Sequence, residues 1–287
     1  MKNSTKRVGI ICDLGYERHP LFKSYYYALQ ALFDDVRIIK DKQELLNIDL
    51  LVVGDDHYAE HKQVLQQQGF IGCCNALDLP VLVLTIEKTL NSYFPWNEDN
   101  LKALSKIKHL YHYMADVDDC VALGTKVHKI SISKKYENVF DVEQKKDAVV
   151  FIGSTECKQN SYKNRKSLLT EAQKVIDVDI IEPNFTFWEE YMETMAQYRF
   201  VLSPLGNGNI LALRFYEILC VGAIPIQQVK ANTLSYYDVE SRFEDCIFFK
   251  GVSEIKEKIE NCKLQKSYNR VWTENHLELI LKKEGLW

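Results

Sequence analysis

The sequence lacks any apolar run long enough to cross a bilayer as a helix, a task that takes about 20 residues. None of its eight cysteines forms a CxxC pair, so the ligand spacing of a structural zinc site is missing. It has no marked excess of either charge: 36 basic residues against 40 acidic ones leave −4. That balance supplies no overall field for a polyanion and gives no reason to expect a nucleic-acid partner. No unit of 20–50 residues repeats and no segment is low in complexity, which excludes solenoids and arrays. The first seven residues are polar and lead straight into an apolar stretch. The expectation is therefore a chain without a signal peptide or transmembrane segment, cytoplasmic, with reduced thiols. Adjacent Cys73 and Cys74 could react as a pair, but buried spectators fit their apolar surroundings better.

What is present is an alternation of short apolar runs and helical patterns. Runs at 8–14, 36–39, 49–54, 80–86, 109–114 and 127–132 read as buried strands. Helical spacing covers 19–33, where Pro20 suits a first turn, and a polar helix is expected from Asp55 to about 68. The charged stretch 134–147 reads as a linker, after which the pattern restarts. Strands are expected at 148–153, 178–181 and 246–250, and helices at 165–175, 186–198 and 252–261. Such alternation predicts parallel sheets covered on both faces. The fold class is α/β: two Rossmann-like domains, 1–140 and 141–287, facing a central cleft. Ligands of these sheets bind outside the carboxyl ends of the strands.

Residues 199–226, RFVLSPLGNGNILALRFYEILCVGAIPI, carry the densest signal. They read as strand, glycine-rich turn, helix and second strand. Ser203, Gly206, Asn207, Gly208 and Asn209 form a turn whose glycines permit close backbone approach. The helix that follows adds free N–H groups and the positive end of a dipole. The turn is neither a Walker A loop nor GxGxxG. Within that apolar helix stand Arg214 and Glu217, three residues apart and so on one face. Arginine suits phosphate, and a carboxylate can accept from two ribose hydroxyls. The competing reading is an intrahelical ion pair.

This motif resembles the C-terminal signature of exostosin-like glycosyltransferases and, more broadly, the donor-binding half of GT-B glycosyltransferases. The resemblance implies a nucleoside-diphosphate sugar held by the second domain, with Glu217 on the ribose and Arg214 and the turn near the diphosphate. The segment FIGST at 151–155, followed by NRKSL at 164–168, is similar to the first βα unit of that half. There a basic residue reaches the phosphates, which implies Arg165, with Lys166 as the alternative. Residues 181–184 lie where the family places backbone against the base. A C-terminal helix often returns to the first domain, a role open to 276–283.

Transfer to a hydroxyl needs a base, or charge stabilisation of the leaving diphosphate. If the reaction inverts the anomeric centre, as this reading takes it to, the first domain should supply the base. Asp13, Glu17 and Asp55 follow apolar runs and rank in that order, ahead of His19, Asp56, His57 and Glu87. Each alone could equally be a turn or cap residue. Asp116 and Asp118 form a DxD, the metal motif of a different glycosyltransferase fold; here it reads as a turn or cap after a strand, and no metal or other cofactor is required. The acceptor would be a glycan or similar hydroxyl compound. The alternatives are a sugar-nucleotide epimerase or hydrolase of the same fold, or a protein that binds nucleotide-sugar without turnover.

Overall fold

The computed structural model describes residues 3–11, 20–54, 64–65, 67–85, 102–127, 132–136, 140, 142–155, 163–205, 211, 213–230, 233, 246–262 and 272–287. The chain divides into two compact units. One is Met1–Lys135 together with Val271–Trp287, and the other is Tyr136–Arg270.

The first unit is built on its most continuous apolar runs. Every residue of β3 (Leu50–Gly54) and β4 (Val81–Thr85) is buried, as strands covered on both faces require. They sit centrally in a parallel sheet with β1 (Asn3–Ile11), β2 (Phe33–Ile38), β5 (Leu110–Met114) and β6 (Lys126–Val127), in the order β2-β1-β3-β4-β5-β6. The described helices of this unit include α1 (Pro20–Leu32), α2 (Phe70–Ala76) and α3 (Val117–Leu123), with the tail helix given below. Packing is tight at Gly9, where an added Cβ would lie 2.6 Å from Ile48 Cδ1 and 2.7 Å from Ile39 Cγ1.

In the second unit β7 (Lys146–Ile152), β8 (Val178–Ile181), β9 (Tyr198–Ser203), β10 (Ile224–Gln228) and β11 (Ile247–Phe249) form a parallel sheet ordered β11-β10-β9-β7-β8. Its described helices include α4 (Lys163–Ala172), α5 (Trp188–Ala196), α6 (Leu213–Cys220) and α7 (Ile255–Glu260). Alternate strand residues Phe151, Phe200, Leu202 and Ile226 pack with Leu168 and Leu169 of α4 and Ile255 of α7. The buried Met192, Met195, Phe215 and Ile218 of α5 and α6 lie outside that cluster, and both helices touch β9. The sheet is thus covered on both faces. Lys145 Nζ donates to Ala196 O and Val221 O, each at 2.7 Å. One cation therefore serves the orphan carbonyls at the ends of both α5 and α6.

The last helix, α8 (Thr273–Lys283), packs on α1 and buries Leu277, Ile280 and Leu281. The 141–287 division assigned this tail to the second half; its contacts place it in the first unit. Polar anchors hold it there. Ser133 Oγ donates to Glu274 at 2.5 Å, and the Lys134 N–H does so at 2.9 Å. At the other end Lys126 Nζ reaches Glu284 at 2.6 Å, and the Tyr113 hydroxyl donates to the same oxygen.

Helices α2 and α3 were not expected. Gly72 and Asn75 are weak helix formers, but Phe70 and Cys74, one turn apart, both bury in the core and carry α2. Asp116 is buried immediately before α3, and its carbonyl accepts the Cys120 N–H at 3.0 Å, while Asp118 is the second residue of that helix. Strand β1 starts at Asn3 rather than Val8, because Asn3 pairs with Phe33 across a register shift. Among the described residues no helix is long and apolar enough to cross a membrane.

The Glu284 anchor generates a pH prediction. Burial alone would raise its pKa; hydrogen bonds from Lys126 and Tyr113 and the nearby positive charge outweigh this and hold it below the usual range. A depressed folded pKa contributes stability above the unfolded value of about 4.3, lost as pH falls through the folded one. Urea unfolding from pH 7 to pH 3 should show a steeper acid loss in the native chain than in Glu284→Gln; parallel curves would remove Glu284 from the acid limb.

Candidate functional site

The two sheets are wired alike. In β2-β1-β3-β4-β5 and in β8-β7-β9-β10-β11 the order reverses beside the unit's first strand. Open α/β sheets bind ligands at the carboxyl ends of the strands that flank such a reversal. In the second unit those strands are β7 and β9, which end at Ile152 and Ser203.

Two arginines converge there. Arg165, in the first turn of α4, donates from Nη1 to Ser154 O at 3.1 Å. Its Cζ lies 5.7 Å from the centroid of the Phe151 ring, and Arg214 Cζ lies 5.2 Å from the same centroid. Cations over an aromatic ring at such distances are held by its quadrupole. A Cβ added to Gly153 would come within 2.9 Å of Arg214 Nη2, so the missing side chain is what lets this guanidinium lie against the end of β7. Arg214 stands at the second position of α6. A cation at a helix N-terminus opposes the dipole. Two such cations at one strand end form a site that favours an anion.

Glu217 lies on the same helix with 5% of its surface exposed. Trp188 Nε1 donates to its Oε1 at 2.9 Å, and the Tyr191 hydroxyl donates to its Oε2 at 3.3 Å. Arg214 Nε donates to Tyr191 Oη at 3.2 Å. The sequence placed Arg214 and Glu217 on one helix face; the structure also joins them through a phenol on the neighbouring helix. Burial pushes the Tyr191 pKa up, the Glu217 charge adds to this and Arg214 opposes it, so the phenol stays protonated.

Ser203 is fully buried. It pairs in register with Gln227 of β10, and Ser203 Oγ and Gln227 Oε1 are buried with no hydrogen-bond partner among the described residues. Gly206, Asn207, Gly208 and Asn209 lie outside the described residues. So do Asp13, Glu17 and Asp55, and with them His19, Asp56, His57 and Glu87. Lys166 is exposed on α4. Glu182, just past β8, accepts from the Thr155 N–H at 3.0 Å and from its hydroxyl, which hold this carboxylate below its usual pKa. Among the described residues no cluster of His, Cys, Asp and Glu could hold a metal ion. Burial, with a contribution from Cys73, pushes the Cys74 thiol up to about 12, far from a reactive thiolate.

Sequence reasoning missed Trp188, Tyr191 and Phe151 as parts of this site. The available signal was the i,i+3 spacing of two aromatic residues with polar tips on a helix beside the motif.

No protein-family model and no curated protein matches the chain. Solved structures do. One is an alpha-glucosyltransferase in complex with UDP and a 13-mer DNA containing a central A:G mismatch, at TM-score 0.60 and 10% identity over 98% of this chain and 100% of that one. Another is an alpha-glucosyltransferase in complex with UDP, at 0.55 and 11% over 97% and 96%. A third is Anabaena Alr3699/HepE in complex with UDP and glucose, at 0.52 and 9% over 96% and 95%. At these identities the likeness is one of fold. The chain has a two-domain, Rossmann-like GT-B fold.

Removing the buried carboxylate leaves two donors unserved, so Glu217→Ala should cost about 2–4 kcal/mol of stability. Glu217→Gln, which keeps one acceptor, should cost less. Urea denaturation measures both; a loss under about 0.5 kcal/mol for the alanine variant would contradict the hydrogen-bond assignment.

Proposed function

We propose that this chain is a glycosyltransferase that moves a sugar from a nucleoside-diphosphate sugar to a hydroxyl of a glycan or similar acceptor. The observation that carries the reading is the convergence of Arg165 and Arg214 on the carboxyl end of β7, at the order reversal of the second sheet. The UDP held by the alpha-glucosyltransferase and HepE structures and the resemblance of 199–226 to the signature of exostosin-like glycosyltransferases support it.

The chemistry follows from charge. As the bond from the anomeric carbon to the diphosphate breaks, negative charge grows on the leaving oxygen. Two fixed guanidinium groups and two helix N-termini stabilise that charge more in the transition state than in the ground state. They supply the countercharge that other sites take from a metal ion, so none is required. Ser203 and the turn at Gly206, Asn207, Gly208 and Asn209 would complete the donor site, with Glu217 behind Arg214. The acceptor base would come from the first unit. Asp13 and Glu17 follow β1 in sequence and Asp55 directly follows β3, the two strands that flank that unit's own reversal. With Asp13 as base the transfer inverts the anomeric centre. The net charge of −4 provides no general attraction for a nucleic-acid acceptor.

Two measurements test the reading. In a thermal-shift panel a nucleoside diphosphate such as UDP or GDP should raise the melting temperature. Arg165→Ala and Arg214→Ala should each weaken that binding at least about tenfold, while Lys166→Ala leaves it within about twofold. A panel in which no nucleoside diphosphate stabilises the chain would sink the proposal. In the second, Asp13→Asn should keep donor affinity and lose about a hundredfold or more in transfer rate; full activity would pass the role to Glu17 or Asp55.

A further inference from the structure

Arginine reads a diphosphate well only when its fork is held at one angle, since a free side chain pays rotamer entropy on binding. The structure shows how this fork is held. Of the three guanidinium nitrogens of Arg214, Nε faces Tyr191 Oη at 3.2 Å. Nη1 and Nη2 lie on the Gly153 side, 3.3 and 2.9 Å from where a Cβ on that residue would stand. The phenol is in turn fixed by Glu217, and Glu217 by Trp188. Trp188 is packed edge-on against Tyr136 and Phe140, with ring centroids 5.5 Å away in each case.

We infer that Tyr191 is a positioning residue, the middle link of a chain Trp188–Glu217–Tyr191–Arg214 that aims the Arg214 fork at the diphosphate. The inference rests on the donor-site reading above. It also gives Glu217 a task from within the protein, as the buried acceptor that orients the phenol.

Three features support it. Tyr191 must donate and accept at once, which only the neutral phenol can do, and its environment keeps it neutral. The chain ties α5 to α6, and Lys145 fastens the opposite ends of the same two helices, so the aim is set by a braced pair rather than by one side chain. Phe185 packs its ring 5.9 Å from that of Tyr191 at 66°, which restricts the phenol's own rotation.

A double-mutant cycle on UDP affinity, read by calorimetry, tests this. Tyr191→Phe keeps the ring and removes the hydroxyl. In the native background it should weaken UDP about five- to tenfold; in the Arg214→Ala background it should change affinity less than about twofold. Equal losses in both backgrounds, or no loss in the native one, would overturn the positioning role. The first parts of the reading stay separable: if Arg214→Ala itself leaves UDP and GDP affinity unchanged, the donor-site reading fails and takes this inference with it. If Tyr191→Phe does not fold to a cooperative melt, Glu217→Gln replaces it in the same cycle, with the same expected coupling to Arg214 and the same contrary outcome.

Discussion

A carboxylate removed from water must find donors, and most of the second unit's local order around the site follows from that demand at Glu217. Burying a charged group costs several kcal/mol unless hydrogen bonds replace its hydration. Trp188 and Tyr191, one turn apart on α5, supply those bonds. In doing so they fix α5 against α6. The phenol has an acceptor site left, and Arg214 takes it. The charge of Arg214 is thus held through that of Glu217, with a neutral group between them that lets both be satisfied. The direct Coulomb attraction of an exposed i,i+3 pair would be worth a few tenths of a kcal/mol and would not fix an angle.

The sheet wiring explains why this apparatus stands where it does. Parallel strands send every following helix off from the same edge, so helix N-termini gather at the carboxyl ends. Where the strand order reverses, adjacent strands lead to helices on opposite faces and leave the edge open. Arg165 starts a helix that packs on one face, and Arg214 starts one that packs on the other. They meet over the strand end that lies between them. The first unit repeats the wiring at β1 and β3, the strands after which the candidate bases follow in sequence.

Much of this was legible beforehand. The strands β3, β4, β7 and β9 stood out because strands buried on both faces are nearly unbroken apolar runs. Arg214 and Glu217 stood out because charge in an apolar helix needs a reason. Arg165 came into view through the resemblance of 151–155 and 164–168 to the first βα unit of a donor-binding half, with Lys166 as the alternative. Trp188 and Tyr191 left only the weak signal of their spacing, because a tryptophan and a tyrosine at helical spacing look the same in sequence whether their polar tips are idle or used. Helix α2 was hidden by Gly72 and Asn75, whose low propensity was overridden by two core contacts. The return of α8 to the first unit was open only through the family resemblance, since an apolar stripe says that a helix must be covered and not by what.

By itself the sequence determined the fold class, the succession of the main parallel strands along the chain, and which charged residues could not be ordinary surface. Periodicity and burial cost act locally along the chain, so they can be read there. Only the tertiary structure decided that Arg165 and Arg214 share the Phe151 ring, that a phenol stands between Arg214 and Glu217, and that the tail belongs to the first unit. Those facts depend on which face of one element meets which face of another. That choice is made by the summed packing of many residues distant in the chain, and no single stretch of sequence records it.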